Sequence, residues 1–270
     1  MTETELMLIS ILNCSRIDLF LNKRKLTKKE QAQFNAMQAR RKMHEPLQYI
    51  IGTCDFMGID LNVDRRVLIP RPETELLVDI AIRTITSAKL SFYNGILNIL
   101  DIGTGSGNIA IALTKNLNNC TVTTIDISKD AIELARANAC RHGVSDRIKF
   151  IHSDVSSFLN QAKIVGKQYD MIISNPPYIP TPMLPKLPKD VRFEPIIALD
   201  GGEDGLCFFK IIISAATYII RKNGFLFIEI GDGQDDDIAQ IFQDNRYYNK
   251  VSFYKDYTNV NRIVSANVTI

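Results

Sequence analysis

Ile96-Leu97-Asn98-Ile99-Leu100-Asp101-Ile102-Gly103-Thr104-Gly105-Ser106-Gly107 decides the fold. An apolar run of strand length passes directly into glycines at alternate positions, and the helical pattern Asn108 to Lys115 follows at once. Glycines so placed permit a tight strand-to-helix turn and let a ligand approach the main chain closely. The spacing is G-x-G-x-G; the dinucleotide fingerprint G-x-G-x-x-G lacks its third glycine here, which weakens a nicotinamide or flavin reading.

Downstream, the same grammar repeats. Thr121-Val122-Thr123-Thr124-Ile125 ends in Asp126, at the distance past the glycines where an acidic residue takes the two hydroxyls of a ribose. Ile148-Lys149-Phe150-Ile151 ends in His152-Ser153-Asp154, and the apolar run Tyr169 to Ile173 ends in Ser174-Asn175-Pro176-Pro177-Tyr178. Strands alternating with helical segments predict an α/β sheet of Rossmann type, in which ligands bind outside the carboxyl ends of the strands. Gly103 to Gly107, Asp126, Asp154 and Asn175 all fall at such ends and so converge on one site.

The Asn-Pro-Pro-Tyr turn suits a planar NH2 group. The Asn175 carbonyl accepts one N–H and a main-chain carbonyl the other. The two prolines fix φ and carry no N–H, so they hold the turn rigid. Tyr178 is expected to pack against the bound plane. Alone, the pentapeptide reads more readily as a rigid turn without chemistry; in company with the other strand ends it reads as the acceptor site for transfer to nitrogen.

The order of these motifs resembles the class I methyltransferases that use S-adenosylmethionine, and more closely the peptide chain release factor glutamine methyltransferases. The closer resemblance rests on Ile69-Pro70-Arg71-Pro72-Glu73-Thr74-Glu75, the Asn-Pro-Pro-Tyr turn and Val191-Arg192-Phe193-Glu194-Pro195 together. It implies a Rossmann-like sheet with an antiparallel C-terminal edge strand, preceded by a small N-terminal helical domain. It also implies methylation of the side-chain nitrogen of the glutamine in a Gly-Gly-Gln motif. On this reading Gly103, Thr104, Gly105, Ser106 and Gly107 lie against the methionine end of S-adenosylmethionine and Asp126 binds its ribose. Asp154 bonds the adenine amine with Val155 beside it, where an aromatic residue is more usual. Asn175, Pro176, Pro177 and Tyr178 bind and orient the glutamine amide. The alternatives are an adenine-N6 methyltransferase of nucleic acid, a ribosomal-protein glutamine methyltransferase, and a methyltransferase-like scaffold without turnover.

Composition bounds these readings. With 46% hydrophobic residues in 270, the chain can bury a full core and a small second one. A net charge of +2 gives no global case for nucleic acid or membranes. Locally, Arg16, Lys23, Arg24, Lys25, Lys28, Lys29, Arg40, Arg41 and Lys42 stand against five acidic residues in the first 45. That face is either solvated or a docking surface for an acidic partner or RNA. Cys14, Cys54, Cys120, Cys140 and Cys207 are odd in number and without C-x-x-C spacing, which points to a reducing compartment. His44, His142 and His152 are too dispersed for a metal site. No signal peptide or membrane span is legible, so a cytoplasmic protein is expected.

The expected division is a helical substrate-recognition domain over residues 1–47, a β-hairpin linker over 48–68 and the methyltransferase domain over 69–270. Thr27-Lys28-Lys29-Glu30 is a capping box opening a helix. Pro72 suits the first turn of another, and Ser128 caps a third that Gly143 ends. Ile179 to Pro195 is too proline-rich for helix or strand and reads as a lid. Asn223-Gly224 is expected to turn the chain into the strand Phe225 to Ile230, and Val251 to Tyr257 with Arg262 to Val268 to form a closing hairpin.

Overall fold

The computed structural model describes residues 1–21, 24–87 and 95–269. Lys23, one of the basic residues counted above, lies outside them. The chain opens with four helices, α1 (Glu3–Leu12), α2 (Arg16–Leu21), α3 (Lys28–Lys42) and α4 (Leu47–Ile51). As the sequence predicts, Thr27 and Glu30 cap α3 reciprocally. This unit has little core of its own: Met7 is the buried residue of α1, and none of α3 is buried. Ion pairs run across its surface. Arg41 of α3 binds Glu3 of α1 at 2.8 Å, Arg24 binds Glu30, Arg40 binds Glu45, and Arg16 approaches Glu5. Much of the segment's positive charge is therefore neutralised internally, which the residue count did not reveal.

Strands β1 (Thr53–Phe56) and β2 (Ile59–Asn62) form the expected hairpin, with Phe56 paired to Ile59 across the Met57-Gly58 turn. Residues 47–51, placed at the linker boundary by sequence, are helical, because the left-handed Gly52 ends α4 there rather than opening a strand. The linker packs Tyr49, Val63, Val67 and Ile69 on Ala131 and Leu134, and the Tyr49 hydroxyl donates to the Val67 carbonyl at 2.5 Å.

Beyond it run α5 (Pro72–Ser87), β3 (Leu97–Ile102), α6 (Asn108–Asn116), β4 (Cys120–Asp126), α7 (Lys129–Arg141), β5 (Ile148–His152), α8 (Val155–Ile164), β6 (Tyr169–Ser174), α9 (Cys207–Ile219), β7 (Ile220–Glu229), α10 (Asp235–Gln243), β8 (Tyr248–Lys255) and β9 (Asn261–Val268). The sheet order is β5-β4-β3-β6-β7-β9-β8. The first five strands pair in parallel, and β9 runs antiparallel between β7 and β8. The antiparallel strand thus sits one position inside the edge, covered by β8.

Both sheet faces are buried. Leu77 and Ile85 of α5, Ile109 of α6 and Ala135 of α7 pack on one side. Leu159 of α8, Phe209 of α9 and Ile238 of α10 pack on the other. From β3 the chain moves outward to β4 and β5, then returns to the opposite side as β6 and β7. A crevice opens at that reversal, outside the strand ends.

Two expectations need correction. Asn223-Gly224 does not turn the chain into a strand: β7 has already begun at Ile220, and the pair forms an irregularity where pairing jumps from Tyr169–Ile220 to Met171–Phe225. Asn223 takes a left-handed φ of 62° there. Nor is the proline-rich segment without helix. Two short 3-10 turns, Thr181–Lys186 and Val191–Phe193, occupy it, and a third, Ile196–Ala198, follows directly. A parallel bridge between Ile179 and Asp200 ties its start to the chain just beyond its end.

Candidate active site

A cavity of about 190 Å3 lies at the crevice. Its walls include Gly103, Gly105 and Ser106 after β3, Asp126 at the end of β4, Asp154 and Val155 after β5, and Asn175, Pro176 and Pro177 after β6. These are the strand ends that the sequence brought together. Pro195, at the end of the proline-rich segment, and Ile197 and Ala198 just beyond it complete one wall.

Gly103, Gly105 and Gly107 have φ of 89°, 50° and 83°, which side-chain-bearing residues adopt only at a cost. Not every residue of the loop faces the ligand space. Thr104 is buried, its hydroxyl 2.8 Å from that of Thr124. Gly107 caps α6, and a Cβ there would come within 3.1 Å of Ala135. Both hold the loop against its neighbours, and neither lines the cavity.

Asp126 is anchored by its surroundings. Its Oδ2 accepts the Gly105 N–H at 2.9 Å and its Oδ1 the Ser128 N–H at 2.8 Å. Burial pushes its pKa up, and these two N–H groups oppose the shift. An ionised carboxylate has about four acceptor positions, so capacity remains for two hydroxyl groups. Asp154 commits Oδ1 to the Ser157 N–H at 3.0 Å, capping α8. Val155 begins that helix with its side chain buried. Two buried polar atoms near the loop lack a hydrogen-bond partner, Ser106 Oγ and Asp101 Oδ1. Since buried polar groups are normally satisfied, a ligand that reaches Ser106 on the cavity wall fits the site. Burial holds Asp101 up at about 7.

The acceptor turn is built from three elements. Asn175 Nδ2 donates to Thr74 Oγ1 at 2.9 Å, and Thr74 Oγ1 donates to Glu229 Oε2 at 2.6 Å. The Tyr178 hydroxyl donates to Glu229 Oε1 at 3.2 Å. Tyr178 does not line the cavity: its ring packs against the core beneath the turn and supports it from below. Glu229 is buried and its pKa is pushed up to about 7 by that burial, against the hydroxyls of Thr74 and Tyr178. A second buried acid, Glu194, accepts the Ile69 N–H at 3.3 Å and pairs with Arg71 at 2.5 Å, tying the lid to the segment before α5. Close approach matters as well. A Cβ on Gly201 would lie 2.7 Å from Tyr178 Cα and 2.9 Å from the Pro177 carbonyl, so glycine alone lets the returning lid rest on the turn.

Thr74, Glu229 and Arg71 received no role from the sequence. A glutamate inside the apolar strand Phe225 to Ile230 was the available signal, because a fully buried acid requires partners. Among the described residues no group of three or more His, Cys, Asp or Glu could hold a metal ion, and no helix is long and apolar enough to cross a membrane.

Comparison with known proteins places this geometry. A family profile described as a methyltransferase domain matches residues 95–266, and one described as the PrmC N-terminal domain matches residues 1–52. The release factor glutamine methyltransferase of Geobacter sulfurreducens is 41% identical over 242 residues, 89% of this chain and 80% of that protein. The chain belongs to the release factor glutamine methyltransferase family. As a member of it, the protein is a class I methyltransferase that uses S-adenosylmethionine. The bifunctional methyltransferase of Rickettsia bellii is 38% identical over 85% of the chain, which covers 44% of that longer protein. The catalytic domain of human Mettl16, solved with an RNA hairpin, superposes with a TM-score of 0.59 over 90% of this chain and 84% of that one; at 16% identity the likeness is of fold alone.

Proposed function

We propose that the protein methylates the side-chain amide nitrogen of the glutamine in the Gly-Gly-Gln motif of peptide chain release factors. S-adenosylmethionine, when bound, supplies the methyl group as a sulfonium electrophile. Asp126 is the residue to hold its ribose, Gly103, Gly105 and Ser106 its methionine end, and Asp154 and Val155 its adenine.

A glutamine amide nitrogen is a poor nucleophile, because its lone pair is delocalised into the carbonyl. The protein's contribution is therefore placement. Asn175 Oδ1 takes one amide hydrogen, the Pro176 carbonyl the other, and the rigid turn aims the nitrogen while the lid excludes water. The observation that carries this reading is the commitment of Asn175 Nδ2 to Thr74, which turns the opposite, accepting end of the side chain away from Thr74 in a residue that lines the cavity. A docking face for the release factor on the N-terminal helices is a further part of the proposal: Ile17, Phe20 and Leu21 of α2 stand exposed, and α3 carries Lys28 and Lys29 in its first turn.

Replacing Asn175 tests the acceptor site. Asn175→Ala removes one preorganised hydrogen-bond partner, which typically costs about 100 to 1,000-fold in turnover. Cofactor affinity, measured by calorimetry on a variant folded by circular dichroism, should fall much less. Near-normal methylation of a release factor by Asn175→Ala sinks the reading.

A further inference from the structure

We propose that Glu229, acting through Thr74, is a positioning residue that fixes which end of the Asn175 amide meets the acceptor, and that this orientation makes the site prefer a side-chain amide to the isosteric carboxylate. The inference rests on the acceptor reading above and deepens it.

The two ends of an asparagine amide are nearly equal in shape and opposite in hydrogen-bond sense, so only partners determine which way the group points. Here the partners form a directed chain. Glu229, at the end of β7, is 1% exposed, and Thr74, in the first turn of α5, is also 1% exposed. Water cannot readily substitute for either. In its ionised form, which prevails above its raised pKa of about 7, the carboxylate only accepts, so it takes the single hydroxyl proton of Thr74 at 2.6 Å. The Thr74 oxygen is then left with lone pairs alone, and at 2.9 Å it accepts from Asn175 Nδ2. Tyr178 supplies the proton for the other Glu229 oxygen at 3.2 Å.

The reverse arrangement has a penalty. If Asn175 pointed its carbonyl at Thr74, the hydroxyl proton would have to serve Asn175, and a buried Glu229 oxygen would lose its donor. Leaving a buried acceptor unmade costs about 1–3 kcal/mol, equivalent to a factor of about 5 to 150 in population. The charge on Glu229 therefore propagates outward as a fixed polarity, with acceptors facing the ligand space. A glutamine NH2 satisfies that polarity with both of its hydrogens. A glutamate carboxylate brings oxygen against oxygen and offers no proton, so it is rejected.

A purely structural Glu229 would affect stability alone; a positioning Glu229 affects discrimination. The experiment compares wild type with Thr74→Val, Thr74→Ser and Glu229→Gln. The readouts are kcat and KM on an intact release factor, cofactor Kd, and the ratio of inhibition by short peptides carrying Gly-Gly-Gln or Gly-Gly-Glu. Thr74→Val keeps the volume and removes the hydroxyl, and should lower kcat by about 10 to 100-fold at nearly unchanged cofactor Kd. Thr74→Ser, which restores the hydroxyl, should recover turnover. Glu229→Gln can donate as well as accept, so it should cut the preference for the glutamine peptide by about tenfold.

Wild-type turnover and peptide preference in folded Thr74→Val and Glu229→Gln overturn the positioning role. Should Thr74→Val not fold, Thr74→Ala carries the same comparison. Asn175→Ala separates the two levels. If it abolishes turnover while Thr74→Val does not, the acceptor reading stands and this inference falls; if Asn175→Ala is itself normal, both fall.

Discussion

Replacing Asp126 by asparagine probes the cofactor end of the site with the least steric change. The carboxylate accepts the Gly105 N–H at 2.9 Å and the Ser128 N–H at 2.8 Å. The amide has one accepting atom, so it keeps one of these bonds and sets its NH2 against the other N–H. That mismatch costs about 1–3 kcal/mol of stability. It is opposed by the removal of a charge that burial already disfavours, as the raised pKa of Asp126 records. The net change in Tm should accordingly be small. Binding has no such offset. Losing one hydrogen bond from a ribose hydroxyl to a charged group costs about 1.5–3 kcal/mol, or about 10 to 150-fold in Kd. Calorimetric titration with S-adenosylmethionine, paired with thermal unfolding of both proteins, separates the two effects. An unchanged Kd in Asp126→Asn removes Asp126 from the cofactor site. A Kd that rises only in step with a large loss of stability refutes the offset argued here.

Burial places the folded pKa of Glu229 at about 7 against an ordinary 4.5. The folded state therefore binds this proton more tightly than the unfolded chain. The stability it contributes is complete below 4.5 and is lost as pH rises through 7, a change of about 3 kcal/mol. Urea unfolding across that range should show the decline in wild type and a shallower one in Glu229→Gln; parallel curves would contradict it. Glu73, Thr74, Tyr178 and Arg262 face the same carboxyl and remain in both proteins. At Gly201 an added methyl meets Tyr178 Cα at 2.7 Å and the Pro177 carbonyl at 2.9 Å. Gly201→Ala should therefore displace the acceptor turn and lower kcat more than it weakens cofactor binding; intact turnover would mean that the contact relaxes elsewhere. Reversing charge on α3 with Lys28→Glu and Lys29→Glu together should raise KM for the intact release factor by about two- to thirtyfold, from roughly 0.2–1 kcal/mol per exposed pair, with cofactor Kd unaffected. Unchanged KM would move the docking face away from these lysines.

The sheet was legible because its strands are short apolar runs that each end in a polar residue at the crevice. The strand ends at Asp126, Asp154 and Asn175 could be read one at a time and converge because parallel strands point their carboxyl ends to one side. What the sequence hid depends on distance across the fold. Thr74 and Glu229 are separated by 155 positions, and nothing local marks a threonine in a first helical turn as the partner of a strand glutamate. The support of Tyr178 was hidden for the same reason: the buried acceptor of its hydroxyl, Glu229, lies on β7. The basic N-terminal face looked stronger in a count than in space, because arginines on one helix find acids on another. The proline-rich segment was recognised by composition, but the contacts that hold it, the Ile179–Asp200 bridge and the anchoring of Glu194 by Arg71 and the Ile69 N–H, join residues that no local pattern links.

The central claim is the identity of the acceptor atom. It is tested most directly by incubating the purified protein with S-adenosylmethionine carrying a deuterated methyl group and an intact release factor, then locating the label by tandem mass spectrometry. The account requires the label on the side-chain nitrogen of the Gly-Gly-Gln glutamine, its absence when that residue is replaced by glutamate, and no incorporation into an adenine-containing oligonucleotide. Label on adenine, or on another residue of the release factor with the glutamine unmodified, contradicts it.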